Sequence, residues 1–205
     1  VSHNMSAIAN FCPRSIWMER GRVREIGRTN EIVAHYLADG GSDTGALEFT
    51  AENAPGSDHI KLYALRMRSS AGLSTTNFST SEPIEVEMEY EILQPAKGLR
   101  TGLLLLGREG EIILSTKDLD SYSPEYARKP GRYVSRCTLP AHFLNAGRFY
   151  LTCNSDIPGV QMNFDVARAM AFSVEVAGDS IGGMLPSQRN GLLRMALPWT
   201  VTPAA

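Results

Sequence analysis

The clearest pattern in the sequence is the alternation of apolar and acidic residues over 84–92, which reads IEVEMEYEI. Successive side chains of a β-strand point to opposite faces, whereas on a helix these apolar residues would scatter around the cylinder. The pattern therefore predicts a strand with one face in a core and one face in water.

Other stretches with a period of two occur between 60 and 197, separated by turn-forming segments rich in glycine, proline and asparagine. No long helical pattern interrupts them, so we expect antiparallel sheets packed face to face in an immunoglobulin-like β-sandwich. The predicted strands are 60–68, 84–92, 100–106, 112–116, 133–139, 149–154, 172–176 and 192–197.

The first 38 residues have a different, mixed α/β pattern. It predicts a helix over 5–11, a hairpin of strands 14–18 and 23–26, and an amphipathic helix over 30–37. Glycine, serine, aspartate, asparagine and proline then dominate up to residue 58, which favours a linker. We therefore predict an α/β tail at 1–38, a linker at 39–58 and the sandwich at 59–205.

The composition excludes several classes of protein. Charged residues make up 20% and apolar residues 43%, which is typical of a globular domain. The longest apolar run, 103–106, is far shorter than the roughly 20 residues that a membrane helix needs. A formal net charge of −2 offers no excess of cations for a phosphate backbone, so we expect no nucleic-acid partner.

Three widely spaced cysteines indicate neither a disulfide framework nor a zinc site, because they are odd in number and form no CxxC pair. This usage favours a reducing cytosol, with Cys137 and Cys153 as small buried apolar residues. We expect no metal site, since His35, His59 and His142 have no ligand spacing. The start, Val1-Ser2-His3, lacks an initiator methionine, so we expect a piece of a longer protein.

The tail contains a Ser-His end of a strand, Cys12-x-Arg14, a Glu-x-Gly-x-Val hairpin from Glu19 and a glycine followed by Thr29. In this order it resembles the C-terminal end of the nucleotide-binding domains of ABC transporters. By that resemblance His3 matches the switch histidine that contacts the γ-phosphate of ATP. The chain has no GxxxxGK[ST] loop, so we expect no enzymatic activity from it alone and no cofactor of its own. ATP and Mg²⁺ would belong to the full-length parent.

The remainder, about 45–199, resembles the C-terminal domain of the ATP-binding subunits of O-antigen and related polysaccharide exporters. The resemblance depends on Leu65-x-Met67, Gly110-x-x-Ile113, and Gly147-x-Phe149-Tyr150-x-Thr152 in that order. It implies an immunoglobulin-like sandwich that binds the finished glycan and selects it for export. It also implies a cytoplasmic location at the inner membrane, next to a membrane-embedded permease, and we expect a homodimer.

Candidate residues for sugar binding follow from side-chain chemistry, because aromatic faces pack on C–H surfaces and planar polar groups bond hydroxyls. One set lies on the predicted wet face of strand 149–154, and the other follows strand 112–116 in a loop that also holds Asp118 and Asp120. An ordinary strand tyrosine and a merely solvated loop stay as alternatives. The candidates are Tyr150, Thr152, Asn154, Tyr122 and Tyr126.

Two alternative functions stay open. The sandwich could be a dimerisation and regulatory unit that binds no glycan. The glutamates of 84–92 could instead act as paired carboxylates of a glycoside hydrolase, since alternate strand residues lie about 6.5–7 Å apart. We favour a solvated glutamate face balanced by Arg66, Arg68 or Arg100, because no sequence feature raises the pKa of one carboxyl.

Overall fold

The structure is a computed structural model that describes residues 8, 11–19, 21–38, 44–121, 127–176 and 191–195. The tail contains strands β1 (Arg14–Glu19) and β2 (Arg22–Arg28) and a helix at Thr29–Ala38. The other described strands are β3 (Ala46–Glu48), β4 (Ile60–Arg68), β5 (Asn77–Ser79), β6 (Ile84–Ile92), β7 (Arg100–Leu106), β8 (Ile112–Lys117), β9 (Gly131–Leu139), β10 (Gly147–Ile157) and β11 (Gln161–Glu175).

Strands β3 to β11 form two sheets. One has four strands in the order β3-β4-β6-β9, and the other has five in the order β5-β11-β10-β7-β8. Neighbouring strands are antiparallel, except that β5 runs parallel to β11. The predicted fold class, a mainly-β sandwich with a short α/β tail, is confirmed.

The core lies between the two sheets and contains a cluster of aromatic rings. Phe172 is fully buried, stacks on Phe149 with ring centroids 5.5 Å apart, and meets Phe78 edge-on at 5.9 Å. Such offset and edge-to-face pairs stabilise beyond simple area burial. Because Phe149 is on β10, Phe172 on β11 and Phe78 on β5, this cluster joins the outer half of the five-stranded sheet.

The alternation in β6 appears in the structure as predicted. Its apolar side chains face the core and are at most 4% exposed, while β4 and β9 pair with it on either side. The observed bounds of β4, β6 and β7 are those predicted from the sequence. One-sided burial fixes the register here, because a shift of one residue would place the glutamates in the core.

The predicted linker, 39–58, contains residues that belong to the sandwich. Residues 46–48 form β3, in which Leu47 pairs with Leu65 of β4, and both Leu47 and Phe49 pack against the core. The sandwich therefore includes residues well before 59.

Strand β11 begins much earlier than predicted, at Gln161 instead of 172. Of the predicted last strand, the described residues show an isolated bridge between Leu193 and Leu144.

The tail forms its predicted hairpin and second helix. The helix packs on β2, where Ile32 is buried and lies so close to Gly27 that a Cβ there would sit 3.2 Å from Ile32 Cδ1. The hydroxyls of Thr29 and Ser15 lie 2.8 Å apart and tie the start of the helix to β1. Most of the predicted helix over 5–11 lies outside the described residues. No helix in the described part of the chain has the length and apolar character of a membrane span.

Replacing Phe172 with alanine should destabilise the sandwich by about 3–5 kcal/mol, since the change leaves a cavity beside two aromatic partners. Val160→Ala serves as the matched control because Val160 is 74% exposed, and we expect it to change stability by less than about 0.5 kcal/mol. Denaturant unfolding of both variants measures the difference. Equal stability of the two variants would contradict the assigned core.

Candidate functional site

The predicted site residues, the switch histidine His3 and the five sugar-binding candidates, differ in where they lie. His3, Tyr122 and Tyr126 are outside the described residues, so their roles stay predictions. Tyr150, Thr152 and Asn154 lie on the face of β10 that points away from the core cluster, as their phase predicted. They are only 4%, 4% and 7% exposed, so the prediction that this face is wet is wrong.

The burial of Tyr150 and Thr152 has a local cause in β11. Pairing of β10 with β11 is irregular between Leu151 and Cys153, and Arg168 there adopts a positive φ of 49°. The guanidinium of Arg168 lies 4.5 Å from the centre of the Tyr150 ring, and its backbone N–H donates to Thr152 Oγ1 at 2.9 Å. A β-bulge changes the direction of a side chain, and here it places Arg168 over Tyr150 and Thr152 of the neighbouring strand β10.

Asn154 takes part in a polar cluster further along the same face. Lys117 Nζ donates to Asn154 Oδ1 and, at 3.2 Å, to Asp156. Arg100 also binds Asp156, through two hydrogen bonds of 2.9 and 2.8 Å that hold the pKa of this carboxyl below its usual range. The acceptor oxygens of Thr152 and Asn154 are thus engaged within the fold, and a solvated ligand would compete with these internal bonds.

A cleft of about 480 Å³ opens at a different place, between β8 and β9. These are the last strands of their respective sheets, and within the described residues neither pairs with a further strand on that side. The side chains of β9 that face inward are therefore only half-buried, as at Tyr133, Ser135 and Cys137. The cleft exists because the two sheets end without a strand that closes the gap between them.

The lining of the cleft changes from apolar inside to polar at the mouth. Val86, Met88 and Leu103 are buried residues of β6 and β7 and form its floor. Hydroxyl groups line the walls and rim. They belong to Thr101, Thr116, Ser121, Ser135 and Thr138. This combination of an apolar surface with a few polar groups is typical of small-molecule sites.

Asp118 anchors one end of the cleft, in the 3-10 turn Asp118–Asp120 that follows β8. Its carboxylate accepts hydrogen bonds from Thr101, at 3.1 Å from the backbone nitrogen and 2.8 Å from the hydroxyl. It also pairs with Arg128, and each of the two side chains is 9% exposed. Because this charge is buried and matched, Asp118 holds the turn in place.

Asp120 lies two residues further on and is exposed at the mouth of the cleft. Its Oδ2 accepts a hydrogen bond from the Thr116 hydroxyl at 2.8 Å and one from the backbone nitrogen of Lys117 at 3.2 Å. These bonds, that of Thr116 first, lower the pKa of Asp120, so the carboxylate is ionised at neutral pH.

Ser135 and Cys137 form the wall that β9 contributes. Ser135 Oγ lies 2.9 Å from the hydroxyl of Tyr90, and burial together with the charge of Asp120 raises the pKa of the Cys137 thiol. Burial of Cys153, on β10, raises its thiol pKa to about 12, and both thiols are free. Burial of Cys153 was predicted and is confirmed, whereas Cys137 is half-buried.

Sequence reasoning noted Asp118 and Asp120 but missed the hydroxyl residues of the cleft. A signal was present in β9, where Ser135 occupies an inward position between Tyr133 and Cys137. A polar residue in an otherwise apolar phase marks an incompletely covered face. Thr116 and Thr101 give no comparable signal, because their place depends on the pairing of β7 with β8.

The glutamates of β6 face a group of arginines on the neighbouring strands. Glu87 is 6% exposed and receives hydrogen bonds from Arg66 at 3.2 Å and Arg136 at 3.0 Å, with Arg68 3.5 Å away. The predicted balance by Arg66 and Arg68 is thus confirmed. The suggestion of Arg100 is wrong, because Arg100 lies on the other sheet and binds Asp156.

The arginines keep these carboxylates ionised. Burial raises the pKa of Glu87, but the bonds and charges of its arginine neighbours outweigh burial and leave the pKa below its ordinary value. Hydrogen bonding by Arg66 likewise lowers the pKa of Glu89. A glycoside hydrolase needs one carboxyl with a raised pKa as its general acid. Glu87 and Glu89 do not meet this need, and the row lies on the outward face of the sheet.

Among the described residues, no group of three or more histidine, cysteine, aspartate or glutamate side chains could hold a metal ion. The described lining of the cleft combines hydroxyls, carboxylates and apolar carbon with the side chains of Lys117, Arg136 and Cys137, a set that suits hydrogen bonding and packing.

Comparison with curated proteins finds similarity to the ATP-binding proteins of export systems. The chain is 22% identical to the O-antigen export system ATP-binding protein RfbB of Myxococcus xanthus over 135 residues, covering 57% of this chain and 30% of that protein. It is 47% identical over 36 residues to RfbB of Klebsiella pneumoniae, covering 18% and 15%. It is 42% identical over 38 residues to the teichoic acids export ATP-binding protein TagH of Bacillus cereus, covering 18% and 7%. The chain thus spans less than a third of each relative.

Among solved structures, the fold matches the crystal structure of the C-terminal domain of Wzt with a TM-score of 0.53 and 15% identity. The match covers 72% of this chain and 86% of that domain. No family model matches the sequence. The predicted resemblance to the C-terminal part of an ABC exporter's ATP-binding subunit is confirmed by the sequence relatives, and the sandwich fold is shared with the Wzt domain.

Replacing Glu87 with glutamine should destabilise the sandwich at pH 7 by about 1–3 kcal/mol, because three arginines lose a buried charged acceptor. Glu85→Gln is the matched control on the same face. Glu85 is 38% exposed and has one ion pair, at 3.8 Å from Arg136, so we expect it to cost less than about 1 kcal/mol. Denaturant unfolding at pH 7 measures both.

The same comparison has a predicted pH dependence. The folded pKa of Glu87 is lowered, so its stabilisation is present above the ordinary value of 4.5 and lost as the pH falls through the folded pKa. The gap between wild type and Glu87→Gln should therefore shrink below pH 4.5. A gap that stays constant down to pH 3 would show that the loss comes from packing and not from charge.

Proposed function

We propose that this chain is the glycan-recognition module of the ATP-binding subunit of a polysaccharide exporter. In this role it binds the finished polysaccharide in the cytosol and selects it for export. The whole subunit would work at the inner membrane with a membrane-embedded permease.

The observation that supports glycan recognition is the cleft between β8 and β9. Its floor of Val86, Met88 and Leu103 matches the C–H face of a sugar ring, and its hydroxyl and carboxylate rim matches sugar hydroxyls. A volume of about 480 Å³ is enough for a short segment of a glycan. Binding would be modest, since a sugar must shed water from many hydroxyls before it enters.

Chemistry on ATP would belong to the full-length subunit. There, His3 would contact the γ-phosphate, and ATP and Mg²⁺ would be held by parts of the parent that this chain does not contain. The chain itself would act without a cofactor and without catalysis. Its contribution to transport would be recognition.

The proposal can be tested by titrating the chain with the polysaccharide of its source bacterium and with an unrelated polysaccharide. We expect selective binding, with NMR shifts concentrated on residues that line the cleft. Ser121→Arg places a long side chain at the mouth, and we expect it to weaken binding about tenfold or more, a loss of roughly 1.4 kcal/mol.

Ser115→Arg is the matched control, because Ser115 is an exposed β8 residue outside the lining and the variant carries the same added charge. It should bind like the wild type. Equal or absent binding of the two polysaccharides would contradict glycan recognition. Selective binding that shifts Tyr150, Thr152 and Asn154 and ignores Ser121→Arg would move the site to the outward face of β10.

A second candidate function is a dimerisation and regulatory unit without direct glycan binding. The observation in its favour is the outer edge of β9, nine residues long, which borders the cleft and pairs with no further strand among the residues that the structure describes. An exposed edge of this length can pair with a strand of another chain, although the charges of Arg132 and Arg136 disfavour such pairing here. Light scattering on the wild type and on Val134→Pro would separate the two functions. Loss of a dimer with intact glycan binding would favour recognition, and a dimer without any glycan binding would favour this alternative.

A further inference from the structure

The mouth of the cleft contains a carboxylate oxygen that has no donor among the described residues. Oδ2 of Asp120 is engaged by Thr116 and by the backbone of Lys117. Within the part of the chain that the structure describes, no donor reaches Oδ1 of Asp120 and no cation pairs with its carboxylate. One carboxylate oxygen is therefore available to a ligand that enters the cleft.

The cations near the cleft are already matched by other carboxylates. Arg128 pairs with Asp118, and both are nearly buried. Lys117 directs its Nζ to Asn154 and Asp156 on the outward face of the five-stranded sheet. An anionic ligand in the cleft could pair with Arg128 or Lys117 only by breaking these internal bonds.

The third cation near the cleft, Arg136 at the rim, also has carboxylate partners within the fold. Its guanidinium binds Glu87 at 3.0 Å and lies 3.8 Å from Glu85. Removing it from Glu87 would leave a 6% exposed carboxylate with fewer partners, which is costly. The ionised group that the cleft itself offers is therefore negative.

A carboxylate at this position discriminates by its chemistry. It only accepts hydrogen bonds, so it can bind the hydroxyl groups of a sugar but repels a carboxylate or phosphate group. Hydrogen bonds to an ionised acceptor are about twice as strong as neutral ones. A cationic amino sugar would gain little more, because water screens an ion pair at an exposed mouth.

We propose that the cleft selects an uncharged sugar residue through its hydroxyl groups, with Asp120 as the residue that determines this specificity. Sugars that carry a carboxylate or phosphate group at the bound position are rejected. This inference rests on the proposed function and deepens it, since it names the class of sugar.

The probes are oligosaccharides released from the polysaccharide of the source bacterium, used untreated or after oxidation of their primary hydroxyls to carboxylates. Wild type should bind the oxidised form several-fold more weakly than the untreated form, because the oxidised position loses a donor and is repelled by Asp120, and Asp120→Asn should reduce this ratio toward one. Asp120→Asn should also bind the untreated form several-fold more weakly, because the charge-assisted bond is lost. Calorimetry or NMR titration measures all four affinities.

The matched control is Asp58→Asn, an exposed aspartate that does not line the cleft. It should keep the wild-type ratio. Wild-type affinity for the untreated form should change by less than about twofold when salt is raised to about 0.5 M, because a neutral ligand is little affected by screening. A steep loss with salt would indicate a charged sugar and overturn the inference.

The outcomes separate this inference from the function beneath it. If wild type binds the untreated glycan in the cleft but Asp120→Asn leaves the ratio unchanged, the inference fails and glycan recognition stands. If the bound segment itself carries carboxylate or phosphate groups, the inference fails in the same way. If wild type binds no glycan at all, the proposed function fails and this inference falls with it.

Discussion

The fold depends on the two-faced strand β6 at the centre of the four-stranded sheet. Its apolar face fills the core, and its acidic face is held by arginines from both neighbours, with Glu87 bound to Arg66 of β4 and Arg136 of β9. Each face alone would disfavour a shift in register, and together they exclude one. The position of β9 relative to the core, and hence the width of the cleft beside it, follows from this strand.

The cleft is a consequence of how the sheets end. Strands β8 and β9 are the outer strands on one side of the sandwich, so the inward residues of β9 meet open space where those of β6 meet the opposite sheet. Polar residues such as Ser135 and Thr116 are tolerated there because water or a ligand can bond them. Arg132 and Arg136 on the outward face of β9 add charge to an edge that would otherwise attract another strand.

Strands bounded by clear turn signals could be predicted from the sequence, since β4, β6 and β7 begin and end at the predicted residues, and β6 also alternates strictly. Strand β11 could not, because the run from Val166 to Ala171 does not alternate and contains the bulge at Arg168. The wet face assigned to Tyr150 and Thr152 failed for the same reason. Their phase was correct, but the cover over them comes from that bulge on the neighbouring strand. The cleft is lined by residues of four strands, and a local sequence pattern cannot predict which strands come together.

The contrast between Asp118 and Asp120 shows how structure separates a supporting residue from a candidate binding residue. Both are aspartates of one short turn, and the sequence offers no reason to treat them differently. Asp118 is buried, paired with Arg128 and bonded to Thr101, so its removal would loosen the turn and leave an unmatched guanidinium. Asp120 is exposed, and the bonds that orient it, from Thr116 and Lys117, both go to one of its two carboxylate oxygens.

The hydrogen-bond partners of the β10 residues lead to the opposite conclusion for that face. The acceptor oxygens of Thr152 and Asn154 already receive hydrogen bonds from Arg168 and Lys117. Residues that suit sugar chemistry occur on both surfaces of this sandwich, and what distinguishes the cleft is an acceptor to which no described residue donates a hydrogen bond.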